Sequence, residues 1–242
     1  MAQPPGAHRP PDLACRNCPT AKSAQWRVLG DSELAQLNEA KQTSVYEPGE
    51  ALFHQESPCS GIHCVASGSV VLRRQDAQGN SVLINLIQAG QTIGYRSFYN
   101  NRRHAEQAET LEPSTVCLVP NAAMETLLVG NSELGVQFAA SLADDLKQLE
   151  QALLNGVSQP VRARIARLLH LLLGRFGESN QDGRIVLRLP LGRQALAELL
   201  GVQRETVTRT LNALQADGVL NHSGRTVVVD DLDRLLDELE QQ

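Results

Sequence analysis

Between about residues 44 and 120 the apolar positions fall in short, β-branched runs that glycine keeps cutting. The stretches "YEPGEALFHQ", "GIHCVASGSVVLRRQDAQGNSVLINLIQAGQTIG" and "STVCLVP" are punctuated by Gly49, Gly61, Gly68, Gly79, Gly90 and Gly94, the texture of short strands separated by turns. Within "SVVLRRQDAQGNSVLINLI" two strand-like runs flank Gly79-Asn80, which predicts a hairpin there. Many short strands at this spacing predict a small barrel or roll. After Pro120 the period changes to that of helix. Ala139, Leu142, Leu146, Leu149 and Leu153 advance by alternating steps of three and four, a narrow apolar seam flanked by Asp144, Asp145, Lys147 and Glu150. Such a seam suits a helix that pairs with a copy of itself, or one packed on its own domain. "NGVSQP", residues 155 to 160, then marks a hinge or domain boundary.

Beyond that point "VRARIARLLHLLLGRF" predicts a helix and "GRIVLRLP" a strand. "GRQALAELL" predicts a short helix, "GVQ" a turn, and "RETVTRTLNALQADGVL" a second helix that stops at Gly218. "LNHSGRTVVVD" predicts a hairpin about Ser223-Gly224. Two short helices about a tight glycine turn, followed by a hairpin, are the order of a winged helix-turn-helix. The fold class expected is therefore α+β. Four segments follow: a cysteine-containing arm over 1–28, a β-roll over 29–125, the long dimerisation helix region over 126–156, and a winged helix-turn-helix over 157–242.

The 242 residues are enough for more than one folding unit, and a hydrophobic fraction of 42% supports ordinary cores. No apolar run approaches the roughly 18 residues of a membrane span, and the Pro-rich N-terminal segment lacks the apolar stretch of a signal peptide. A cytoplasmic protein without a membrane partner, its first dozen residues mobile, is the expectation.

Net charge is -5, but unevenly spread. Residues 160–225 hold ten Arg, no Lys and five acids, an excess of five positive charges, whereas residues 226–242 hold one Arg against six acids. A basic island between acidic regions is the footprint expected where phosphates bind. Its second helix carries Arg204, Glu205, Thr208 and Arg209 on one broad face near the N-terminus. Arg matches guanine O6 and N7, and Glu accepts from cytosine N4, so this face suits reading of base edges. A solvated Glu-Arg surface is the plain alternative. Val207, Leu211 and Leu214 supply the opposite, apolar face, expected against Ala195, Leu196 and Leu199. Arg193, Thr206 and Thr210 are further candidate DNA contacts.

With these residues in view, the chain resembles the Crp/Fnr superfamily of bacterial transcription regulators from about Cys15 to Val229. "EPGEALFHQ", "ASGSV", "DAQGNSVLINLIQAGQTIGY", the leucine seam and above all "LPLGRQALAELLGVQRETVTRTLNALQADGVL" carry the resemblance. It implies a β-roll sensor like those that bind cyclic nucleotides, a long dimerisation helix through Leu142, Leu146, Leu149 and Leu153, and a winged helix. It also implies a homodimer on a palindromic double-stranded DNA site, with RNA polymerase as a partner. Arg204, Glu205 and Arg209 match the cyclic-AMP receptor pattern. Glu205, Thr208 and Arg209 resemble the Fnr pattern with Thr for its usual Ser, so half-sites of the TGTGA and TTGAT types both stay open.

For the sensor, a cyclic-AMP site as the family builds it needs a Glu for the ribose ahead of an Arg-Ser pair. Here Tyr95 and Arg96 stand where Gly-Glu-Leu is expected and His104 follows Arg103, so cyclic AMP is not expected. Heme through His63 or His104 is not expected either. The five cysteines are Cys15, Cys18, Cys59, Cys64 and Cys117, an odd number that argues against a structural disulfide framework. Soft thiolates at Cys-x2-Cys spacing suit an iron-sulfur site. Cys15 and Cys18 lie in a Pro-rich arm where burial in a core is not expected. Cys64 and Cys117, on strands, also read as small buried apolar residues. The resemblance implies a [4Fe-4S] cluster on Cys15, Cys18 and Cys117, with Cys59 or Cys64 replacing the third N-terminal cysteine of Fnr. For the Cys15–Cys18 pair a reversible disulfide competes with metal binding. A cluster near the dimerisation helix would bias its pairing, with repulsion between Asp144 and Asp145 of two protomers opposing it.

No nucleophile-base-orienter set, G-x-x-x-x-G-K loop or His-rich metal motif is present, so an enzyme is not expected. The alternatives are a regulator that senses a small molecule in the β-roll without metal, and a winged helix that contacts protein instead of DNA.

Overall fold

The computed structural model describes residues 13–22, 25–78, 81–100, 102–179 and 184–240. The first twelve residues and the Gly79-Asn80 turn lie outside them. The chain divides into two compact units, the first ending at Lys147 and the second beginning at Gln148.

The first unit opens with two short 3-10 turns, Cys15–Asn17 and Pro19–Lys22, and helix α1 (Asp31–Ala40). Glu33 starts α1 by accepting the Gly30 amide at 2.7 Å. Then come β1 (Gln42–Tyr46), β2 (Ala51–Phe53), β3 (Gly61–Ser67), β4 (Ser69–Gln75), β5 (Ser81–Gln88) and β6 (Thr92–Ile93). After α2 (Tyr95–Tyr99) follow β7 (Gln107–Thr110), β8 (Ser114–Pro120), α3 (Asn121–Gly130) and the long α4 (Ser132–Ser158), whose residues from Gln148 onward count with the second unit. Two four-stranded antiparallel sheets result, ordered β1-β8-β3-β6 and β2-β7-β4-β5. The hairpin foreseen from the sequence is β4-β5, with Gln75 opposite Ser81. Gly68, at φ +83°, makes the β3-β4 corner, where a Cβ would collide with Ser114.

Every residue of β3 except its last is buried, because both of its faces are covered. Val65 joins Phe53, Val70, Leu72, Ile87, Ile93 and Val116 in a core lined from both sheets. Ile62 and Cys64, on the opposite face by strand alternation, join Val119 and Cys117 in a second core. Trp26, Leu37, Met124, Leu134 and Phe138 close that core from the arm and helices.

The second unit contains α5 (Val161–Phe176), β9 (Gly177–Ser179), β10 (Ile185–Arg188), α6 (Arg193–Leu200), α7 (Arg204–Ala216), β11 (Leu220–Ser223), β12 (Thr226–Val229) and α8 (Leu232–Glu240). Its sheet runs β11-β12-β10-β9. Gly201, left-handed at φ +62°, ends α6 and turns the chain into α7. Val207, Leu211 and Leu214 are buried as expected, with Ala195 and Leu196; Leu199 is half-buried. β9 and α8 have no counterpart in the sequence reading.

One boundary differs from expectation. The hinge read from "NGVSQP" shrinks to Gln159-Pro160, since α4 runs through Asn155 and Gly156 to Ser158. A single glycine costs a helix only about 1 kcal/mol, so it does not end one whose other residues hold.

Candidate functional site

The four residues expected to read bases converge. Arg204, Glu205, Thr208 and Arg209 line one open groove on α7, and Asn212, one turn further on, completes it. Asn212 was missed although it continues the same helical face; an amide carries no charge to draw attention. Thr206 and Thr210 are half-buried and do not line the groove. Arg193, at the start of α6, is half-buried too, and its guanidinium meets His222 of β11 at 3.2 Å.

The basic island is smaller than the sequence count suggests. Arg162 of α5 makes a two-pronged pair with Glu238 of α8, at 2.6 and 2.5 Å, and a third contact with Asp217 at 2.6 Å. Arg184 lies 3.5 Å from Asp230. Acid that follows the island in sequence therefore folds back to neutralise part of it.

In the first unit four of the five cysteines converge. Cys15, Cys18, Cys64 and Cys117 line one cavity of about 20 Å³, together with Thr20, Trp26, Leu37, Lys41 and Val119. Cys64 and Cys117 are direct partners across β3 and β8, so their side chains share a face. Cys15 and Cys18 come from the arm, and their expected exposure is wrong: they are 8% and 5% exposed. The arm is tied down from several sides. Asn38 of α1 accepts the Cys15 amide at 3.0 Å, Thr20 Oγ1 donates to the Val65 carbonyl at 3.0 Å, and Lys41 Nζ donates to the Leu13 carbonyl. A Pro-rich, polar composition marks a segment that builds no core alone; it says nothing about a core built by others.

Cys59 does not line the cavity. Its thiol faces the carbonyls of Gly61 and Gly94, at 3.3 and 3.8 Å. Burial raises the thiol pKa of Cys15, Cys64, Cys117 and Cys59, most of all Cys64; at Cys15 and Cys117 the Lys41 ammonium opposes the shift. Among the described residues no three His, Cys, Asp or Glu side chains are grouped to hold a single metal ion.

The cavity is wired to α4. Trp26 is 1% exposed, its ring meets Phe138 edge to face at 5.5 Å, and its Nε1-H donates to Thr92 at 2.9 Å. Gln25 donates to Ser141 at 2.7 Å. Asp145, expected to face a partner protomer, instead accepts the Tyr95 hydroxyl at 2.6 Å, so it belongs to its own β-roll. Of the leucine seam, Leu142 rests partly on the second core, while Leu146, Leu149 and Leu153 are 57%, 65% and 69% exposed.

In the stretch from Tyr95 to His104, Arg96 is paired with the buried Glu106 at 2.9 Å and Arg103 donates to the Glu56 carbonyl. His63 and His104 are buried around Phe53, with His104 stacked on it at 3.7 Å. Among the described residues no helix is long and apolar enough to cross a membrane.

Comparison with known proteins agrees with both units. Residues 43–131 match the cyclic nucleotide-binding domain and residues 163–238 the Crp-like helix-turn-helix domain. The chain is 23% identical to the anaerobic regulatory protein of Pasteurella multocida, over 93% of this chain and 82% of that one. It is also 23% identical to the CRP-like cAMP-activated global transcriptional regulator of Mycobacterium tuberculosis, over 89% and 96%. Among solved structures, the c-di-GMP responsive global regulator CLP of Xanthomonas campestris superposes with a TM-score of 0.72 at 21% identity, covering 83% of this chain and 99% of that one.

Proposed function

The chain belongs to the Crp/Fnr superfamily of transcription regulators, and from that premise we propose that it binds a palindromic DNA site as a homodimer under redox control from its four-cysteine cavity. The convergence of Cys15, Cys18, Cys64 and Cys117 carries the sensing part. The relatives do not decide it: at similar identity one is an anaerobic regulator, one cAMP-activated and one c-di-GMP responsive.

The donor set fits a [4Fe-4S] cluster. Four soft thiols face one water-poor cavity with no carboxylate on its wall, and Lys41 offsets thiolate charge. A cavity of about 20 Å³ has room for about one water, so seating a cluster requires the arm turns carrying Cys15 and Cys18 to stand off from β3 and β8. When bound, the cluster supplies an oxygen-sensitive link between arm and sheet. The chain's own residues do the rest: the thiols give up protons to bind, Trp26 and Leu37 exclude water, and Trp26 passes arm position to Phe138 of α4. The small volume also favours a second reading, a disulfide. Directly opposed residues of antiparallel strands lie about 4.5–5.5 Å apart at Cα, within the range a disulfide spans, so Cys64 and Cys117 can lose two electrons and two protons to an oxidant.

Absorption of protein purified without oxygen separates the two. A broad visible band that bleaches in air, lost in Cys64→Ser and kept in Cys59→Ser, supports the cluster; a colourless protein without iron or sulfide rules it out. For the DNA part, a gel-shift titration at two salt concentrations is expected to show steep weakening with salt, and a shallow dependence would point to a protein partner. Arg204→Ala or Arg209→Ala is expected to cost about 1–3 kcal/mol and relax base preference.

A further inference from the structure

The groove on α7 has a neighbour that neither its charge nor its helix announces. His222 lies in β11, opposite Val227 of β12, yet its ring reaches both helices of the helix-turn-helix. Nδ1 faces the Arg193 guanidinium of α6 at 3.2 Å, and Nε2 faces Asn212 Oδ1 of α7 at 3.0 Å. The Gln215 side chain accepts the His222 amide at 3.2 Å, which fixes the strand against α7.

These contacts select a protonation state. A guanidinium only donates, so Nδ1 must accept and be bare; an amide oxygen only accepts, so Nε2 must carry the hydrogen. The ring is therefore the neutral Nε2-H tautomer. Of the side chains packed on it, Arg193 is the charged one that acts on the ring, while Asn212, Gln215 and Val227 are neutral. Burial and the Arg193 charge both lower the His222 pKa.

We propose that His222 is a positioning residue for DNA binding, holding Arg193 through Nδ1 and Asn212 through Nε2-H so that α6 and the groove on α7 present one prearranged surface. The proposal rests on the DNA reading above. Protonation removes the acceptor that Arg193 uses and sets a second cation beside it. Arg193 then swings free, while Nε2-H still donates to Asn212. DNA affinity accordingly falls as pH drops below the ordinary histidine value of about 6.5. A histidine that merely lay near phosphate would do the reverse, since its positive form strengthens binding.

The test is a gel-shift titration of full-length protein, purified without oxygen, on duplexes carrying inverted repeats of the TGTGA and TTGAT half-sites. It compares the wild type with His222→Phe, which fills the space without hydrogen bonds, and His222→Asn, whose Oδ1 replaces the Nδ1 acceptor. At about pH 8, His222→Phe is expected to bind about tenfold more weakly, the loss of one or two hydrogen bonds of which one is to a charged group. His222→Asn is expected within about threefold of wild type. On acidification from about pH 8 to below the lowered His222 pKa, the wild type is expected to weaken toward the His222→Phe level, and both variants to stay flat relative to it. Circular dichroism melts confirm that the variants fold. Wild-type binding that strengthens toward low pH, or a folded His222→Phe that matches wild type at about pH 8, overturns the proposal alone. A wild type that binds neither duplex at low salt overturns the DNA reading, and the proposal with it.

Discussion

Burial holds the His63 pKa down to about 3 and that of His104 to about 4, with the nearby His104 adding to the effect on His63. In the unfolded chain both titrate near 6.5. The folded state thus binds fewer protons than the unfolded state between those values, and stability must fall as pH drops from about 6.5 toward 4. About 2 kcal/mol per histidine is expected to be gone by about pH 5. Thermal melts of the wild type and His63→Phe check this: the variant should lose less stability on acidification, and equal losses would show that His63 is not held neutral. Cys15, Cys64 and Cys117 run in the other direction, since their raised thiol pKa values keep protons that a metal must displace. Iron-sulfur loading is expected to release protons and to weaken at lower pH, measured by visible absorption across a pH series. Burial of Cys64 and Cys117 was legible in their strand runs; that of His63 and His104 was not, because the distant Phe53 covers both.

Helix α4 joins two kinds of surface on one periodic pattern. Leu134 and Phe138 are fully buried in the β-roll core, whereas Leu146, Leu149 and Leu153 present an open apolar face. The seam was readable from its steps of three and four, but not the point at which it stops serving its own domain. That point depends on where Trp26 and Tyr95 cover the helix. Leu149→Glu is expected to dissociate a homodimer while leaving the monomer folded, because among the described residues Leu149 is largely exposed. Sedimentation velocity with circular dichroism tests this, and an unchanged dimer would remove the seam from the interface. Trp26 is the chain's single tryptophan and lines the cysteine cavity, so its emission should change when the cavity is oxidised or loaded. Unchanged emission would mean that the arm does not transmit.

At the scale of the molecule, charge shows how far a count by segment can go. Arg162 contributed to the basic island, yet Glu238 and Asp217 occupy it, and its pairing ties α5 to α8. Glu238→Gln, which leaves Arg162 only the Asp217 carboxylate, is therefore expected to lower stability by about 1–2 kcal/mol, without changing the salt slope of DNA binding. A changed slope, read from the same gel shifts, would return Arg162 to the phosphate contacts. By itself the sequence determined the order of units, the β-hairpin, the helix-turn-helix and the α7 face from Arg204 to Arg209. Those depend on period, turn glycines and neighbours along one helix, all local along the chain. Only the tertiary structure decided that Cys15 and Cys18 meet Cys64 and Cys117 while Cys59 does not, that Asp145 serves Tyr95, and that His222 joins Arg193 to Asn212. Those contacts join residues on different elements, most of them far apart in the chain, and packing from several elements selects them.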